Sequence, residues 1–158
     1  MAWSASKIFA ATIKDALDRT NAFDFDGDTF KVALYDNDIT PDNTVAAANS
    51  AYNAAQWVAT GNEVSDGVEW DAGGEPLVSP DITVSTSTIK WDATDTVSGG
   101  TSATLANVYG CLVYDDTLTT PVADQGVCYN YFGGTNSVTD GTFTVVWSAN
   151  GIFTISVA

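Results

Sequence analysis

The chain has 158 residues, 45% of them hydrophobic, with 5 basic and 20 acidic side chains, no histidine and a formal net charge of −15. That length fits one domain, able to bury roughly 70% of its unfolded-chain surface, and so apolar a composition argues against disorder. The charge disfavours nucleic acid and anionic membranes as partners, and the lack of histidine excludes Ser-His-Asp and Cys-His catalysis and His-ligated zinc.

The start, Met1 to Lys7, shows no basic region followed by an apolar run, so no secretory leader is expected. No stretch approaches the ~18 consecutive apolar residues of a membrane-spanning helix. Residues 4–19 predict a helix. Ser4 or Ser6 can cap it, and Ile8, Phe9, Ile13, Ala16 and Leu17 recur at helical spacing. Lys14–Asp18 and Asp15–Arg19 are oppositely charged i,i+4 pairs. A lone helix of this length is marginal in water, so its apolar stripe must dock on the body or on a partner chain. Residues 1–22 sum to +1 and the remainder to −16, which sets this segment apart. Trp3 precedes the helix; it fits an interface anchor or a staple against the helix, and the anchor is preferred. The candidate interface is therefore Trp3, Lys7, Ile8, Phe9, Ile13 and Leu17.

Asp24-Phe-Asp-Gly-Asp28 has the look of a calcium loop, but Thr29 and Tyr35 occupy the positions where an EF-hand needs Gly and Glu. A turn entering a strand is the simpler reading, with calcium at Asp24, Asp26 and Asp28 as the one cofactor to consider; otherwise none is expected. Residues 29–35 predict a strand with Phe30, Val32 and Leu34 on one face and Lys31 and Tyr35 on the other. A polar loop with Asp36, Asp38 and Asp42 follows, then an Ala-rich stretch over 44–55 that suits a short helix.

From about residue 57 the pattern is short strands broken by turns. Ile82–Val84 and Thr88–Trp91 predict a strand pair. Asn107–Tyr114 predicts a central strand, apolar on both faces, with Val127–Phe132 as its partner. Asn150-Gly151 between 143–147 and 152–157 predicts a type I′ hairpin that sets Trp147 against Thr154 and Val146 against Ile155. The whole predicts a mainly β fold, a β-sandwich or partly closed β-barrel with an N-terminal α-helix: an arm and helix over 1–22 and a body over 23–158. Cys111 and Cys128 are expected as buried free thiols.

Catalytic equipment is sparse. No phosphate-binding glycine loop occurs. Two carboxylates suffice for glycoside hydrolysis, yet 20 acids supply candidate pairs in any fold, so the pattern selects none. Trp91 and Trp147 suit a β core, whereas an exposed Trp57 or Trp70 would suit a carbohydrate-binding module.

In order along the chain come Lys7-Ile-Phe, residues 23–34 (Phe-Asp-Phe-Asp-Gly-Asp-Thr-Phe-Lys-Val-Ala-Leu) and Thr40-Pro-Asp. Asn62-Glu-Val, Ala72-Gly-Gly, Trp91-Asp-Ala, Leu112-Val-Tyr-Asp-Asp and Gly141-Thr-Phe-Thr-Val follow, ahead of Asn150-Gly. In this order the sequence resembles small virion structural proteins of tailed bacteriophages. The resemblance implies a non-enzymatic protein of the virion, made in the bacterial cytoplasm. It implies a capsid decoration (cement) protein on the outside of the head shell, or else a minor tail or fibre-associated protein. It also implies the phage major capsid protein and further copies of the same chain as partners, with no nucleic acid and no membrane.

Overall fold

The protein is described by a computed structural model over residues 3–157. Met1, Ala2 and Ala158, the outer ends of the expected 1–22 and 23–158 units, lie outside the described residues. The fold is mainly β, with several antiparallel sheets, none of them closed. In chain order come β1 (Lys7–Ile8), α1 (Ala10–Asp18), β2 (Phe30–Tyr35), α2 (Ala47–Ser50), β3 (Glu63–Val64) and β4 (Glu75–Pro76). Then come β5 (Val78–Ser85), β6 (Thr88–Thr94), β7 (Thr96–Val97), β8 (Ala103–Asp115), β9 (Gly126–Gly141), β10 (Thr144–Val145) and β11 (Phe153–Ser156).

A six-stranded sheet runs β1-β9-β8-β2-β3, with β4 also paired to β2. The alternation of β2 decides what lies on either side of it. Phe30, Val32 and Leu34 point into one core with Trp70, Trp91 and Val113, while Ala33 and Tyr35 point into a second with Trp3, Phe9 and Trp57. A sheet buried on both faces needs strands that are apolar on both faces, which is what Cys111-Leu-Val-Tyr114 on β8 supplies. The first core is closed by the β11-β6-β5 sheet. The rings of Phe30 and Trp91 meet edge-on at 4.9 Å, and Phe153 stands beside Trp91 at 5.3 Å. The second is closed by the N-terminal segment and the 36–62 connection, where Trp57 packs edge-on against Tyr35 at 5.1 Å.

Two sequence expectations are overturned here. The helix starts at Ala10, not residue 4. Lys7 and Ile8 instead pair with Tyr129 and Cys128, and Phe9 stays extended (φ −69°, ψ 131°) with its ring against Tyr129. Neither Ser4 nor Ser6 caps the helix; the Ser6 hydroxyl accepts the Tyr131 N–H. Of the expected stripe only Phe9, outside the helix, is fully buried; within the helix the buried residues are Thr12 and Asp15. Thr12 donates to the Gly126 carbonyl, and Asp15 accepts from the Gln125 amide, so the helix docks through polar contacts. Of the two ion pairs, Lys14–Asp18 forms at 2.6 Å; Asp15 is engaged by Gln125, and Arg19 turns left-handed (φ 60°) to end the helix.

The Asn150-Gly151 hairpin does not form. A type I′ turn needs positive φ at both central residues, and only Gly151 (φ 86°) has it. Its N–H instead closes a β-turn one residue earlier, on the Ser148 carbonyl, and the flanking segments part. β10 pairs with β7, while β11 runs along β6 and sets Phe153 against Trp91. Burial of two large rings in the first core outweighs what a two-strand ribbon would gain. The β5–β6 hairpin, the β8–β9 pair, the β2 strand and a short helix within 44–55 all form where expected. Cys111 and Cys128 are buried free thiols.

Gly110 lets Trp3 lie directly on β8. A Cβ there would lie 2.4 Å from the Asn130 carbonyl oxygen and 2.6 Å from the Trp3 ring. We therefore expect Gly110→Ala to cost about 2 kcal/mol, the usual penalty of overpacking, measured by urea unfolding; an unchanged midpoint would show that Trp3 is not held against β8.

Candidate functional site

The six candidate interface residues divide between the inside and the outside of the fold. Trp3 has 0% of its surface exposed. Its indole N–H donates to the Asp36 carbonyl at 2.6 Å, and its ring stacks on Tyr131 at 6.3 Å and meets Trp57 at 6.0 Å. Phe9 is equally buried, edge-on to both Trp57 and Tyr129. Trp3 is therefore a rivet that fixes the N-terminal segment to the body, not an exposed anchor. Ile8 and Ile13 are half-buried and Lys7 is exposed. Leu17, at 81% exposure, is the one large apolar residue of the six facing outward. The segment is thus a constituent of the main sheet and the second core, presenting Lys7 and Leu17 to its surroundings.

Trp57 and Trp70, which would have to be exposed to serve a sugar platform, are both fully buried. Trp57 lies within the second core and Trp70 meets Phe143 edge-on at 5.7 Å. Neither offers a face to a glycan.

Many of the carboxylates hold backbone. Asp66 accepts the N–H groups of Val68, Glu69, Trp70 and Thr104. Burial opposes its ionisation, but these donors overcome it and hold the carboxyl well below the usual range. In the 24–28 turn, Asp24 accepts from Asp26 and Gly27, Asp28 accepts from Asp24, and Asp26 reaches across to the Ile82 N–H at 2.8 Å. These bonds are those of a turn tied to β5. Among the described residues no group of three or more Asp, Glu, Cys or His is placed to hold a metal ion. Glu63 is held between the Tyr52 hydroxyl (2.9 Å) and the Gly73 N–H (2.7 Å), while the Tyr114 hydroxyl donates to the Gly73 carbonyl. Burial pushes the Cys128 thiol up to about 12 and Cys111 well above its ordinary value, so neither is a thiolate nucleophile near neutral pH.

Two features escaped sequence reasoning. One is a groove on the side where β1 and β9 face β10, β11 and the turn between them. It consists of three adjoining hollows of about 300, 340 and 390 Å³. It is made by residues from both ends of the chain, which no local pattern could bring together. The other is a carboxyl pair. Register sets Phe30 opposite Asp115, and this carries Asp28 to the Asp115 side chain. Asp115 is fully buried; one oxygen accepts from Thr117 and Leu118 and the other has no hydrogen-bond partner. The sequence signal was an acid directly ending the most apolar strand.

Compared with protein-family models, with characterised proteins and with solved structures, the chain matches none.

Burial and the neighbouring Asp28 carboxylate push Asp115 up to about 7. A carboxyl raised in the folded state binds its proton more tightly there than in the unfolded chain. Its contribution is complete below the unfolded value near 4 and is lost as pH rises through about 7. Asp115→Asn keeps the acceptor for Thr117 and Leu118 and mimics the protonated acid. The variant should melt roughly 3 °C above the wild type at pH 8 and level with it at about pH 4, by thermal denaturation; a difference independent of pH would refute the raised Asp115.

Proposed function

We propose that the chain is a non-enzymatic structural protein of a tailed-phage virion, a sandwich-like β domain that decorates the outside of the head shell. The observation that carries this reading is the use made of its reactive side chains. Acids cap turns, tyrosine hydroxyls brace Glu63 and backbone carbonyls, thiols are sealed in the core and four of the five tryptophans are fully buried. What faces outward is a dense negative charge and scattered valines and leucine, a surface suited to solubility and to contact with other proteins. The ordered motifs shared with small virion proteins support the same reading, with the major capsid protein as the surface decorated. A minor tail or fibre-associated place is the second reading, and copy number separates the two: a shell takes hundreds of copies, a tail tip a few.

Because Trp3 and Phe9 belong to the core, removing the first twenty residues would unfold the body and test nothing about attachment. Leu17 is the better probe. Leu17→Asp alters an exposed side chain and leaves the melting temperature unchanged. If the N-terminal segment touches the shell, binding of the purified protein to particles that lack it should weaken at least about tenfold in a co-sedimentation assay. Unchanged binding by the folded variant would remove this segment from the contact. Failure of the unaltered protein to bind heads at all would remove the decoration reading itself.

A further inference from the structure

Asn150-Gly151 is a motif whose hairpin the fold does not build. The chain has ten asparagines, and only this one precedes glycine. An asparagine can lose its side-chain amide to its own backbone: the nitrogen of the next residue attacks Cγ and closes a five-membered imide. A Cβ on that next residue shields the nitrogen, so glycine is the most permissive follower.

The structure leaves this pair open to the reaction. Ser148, Ala149 and Asn150 are consecutive exposed residues of a turn. The Asn150 main-chain N–H donates to the Ser148 hydroxyl, but no hydrogen bond engages its side-chain amide among the described residues. The one restraint is the bond from the Gly151 N–H to the Ser148 carbonyl at 2.7 Å. A single bond closing an exposed turn has a small net free energy, so it slows the attack by a factor of about ten at most. The two Asn-Ser pairs, next in reactivity because the hydroxyl eases proton transfer, are held more firmly. Asn136 donates its amide to the Gly134 and Val108 carbonyls, and Asn49 lies within α2 ahead of the fully buried Ser50.

We infer that Asn150 is a site of spontaneous deamidation, and that its β-aspartyl product loosens β11. The Gly151 nitrogen bonds to Asn150 Cγ, the bond from Cγ to the amide nitrogen breaks, and ammonia leaves carrying the Gly151 proton. Water then opens the imide at either carbonyl, giving aspartate or its β-linked isomer. Both add a carboxylate to a chain already at −15. The isomer also routes the main chain through the former side chain, adding one methylene just ahead of a fixed point. Gly151 packs so closely on β6 that a Cβ would lie 2.5 Å from the Trp91 carbonyl oxygen, and the Ile152 N–H donates to that same oxygen at 2.8 Å. Ile152 and Phe153 follow, both buried in the first core. The added length therefore has to strain the turn or shift the anchorage of β11. The inference rests on this turn and is independent of the virion reading.

The purified full-length chain is held for weeks at about 37 °C and about pH 8.5, conditions that bring out labile asparagines. Peptide mass mapping locates the converted positions, and enzymatic methyl transfer counts the β-aspartyl groups. Asn150 should convert at least about tenfold faster than every other asparagine, and at no less than about a tenth of its rate in the urea-unfolded chain. The β-aspartyl fraction should melt several degrees below fresh protein. Asn150→Asp, which changes the charge without lengthening the main chain, should melt within about 1 °C of the wild type. Asn150→Gln, whose longer side chain closes a six-membered ring far more slowly, should come through the same incubation unmodified at this position. Earlier conversion at another asparagine, or an Asn150 that reacts only in the unfolded chain, overturns the site. A β-aspartyl fraction that melts with fresh protein overturns the loosening of β11.

Discussion

The structure depends on one constraint: β2 and its neighbours in the main sheet are apolar on both faces, so that sheet must be covered twice. Phe30, Val32 and Leu34 demand one cover, and Ala33 and Tyr35 the other. Strands meet the first demand, through the β5–β6–β11 sheet and its rings Trp91 and Phe153. The second is met without a sheet, by Trp3 and Phe9 from the N-terminal segment and Trp57 from the 36–62 connection. A thin layer of irregular chain can cover a sheet only if its side chains are large. That explains why aromatics sit where the chain has little regular structure, and why they are tied to other segments: the Trp3 indole donates to the Asp36 carbonyl, and the Trp57 carbonyl accepts from the Tyr35 hydroxyl.

This division also explains what could be read from the sequence. Local signals worked where local geometry decides. The alternation in 30–35, the two-faced apolar run in 107–114 and the closely spaced strands of 78–94 all lie where their patterns put them. The failures share a cause. The Lys7–Phe9 segment has helical spacing, but the edge of β9 and the Trp57–Tyr129 pocket lie elsewhere in the chain and claim it as strand and plug. Asn150-Gly151 has hairpin chemistry, but β6 offers Phe153 a better-buried neighbour than β10 could. In both places tertiary burial overrode a local preference of order 1 kcal/mol, as expected when a large ring is at stake.

Trp57 and Trp70 lie in irregular stretches rich in Gly, Asn and Asp. Both are core residues because their loops are folded over the sheet, with Trp70 stitched down by the Asp66 cap and Trp57 by the Tyr35 hydroxyl on its carbonyl. The candidate interface was legible only in part. The charge contrast did single out the N-terminal segment, and two of its six residues, Lys7 and Leu17, do face outward. The groove was invisible because Lys7, Asn130, Val146 and Phe153 become neighbours only once the two ends of the chain are packed.

Charge ties these points together. A chain with a four-to-one excess of acids gains stability where some carboxylates are held as anions by backbone donors or kept protonated and the remainder are spread over solvent. Asp66 shows the first device and Asp115 the second. The remaining acids on the surface then impose a rule on assembly: any contact between copies, or with another acidic protein, costs least where carboxylates are missing.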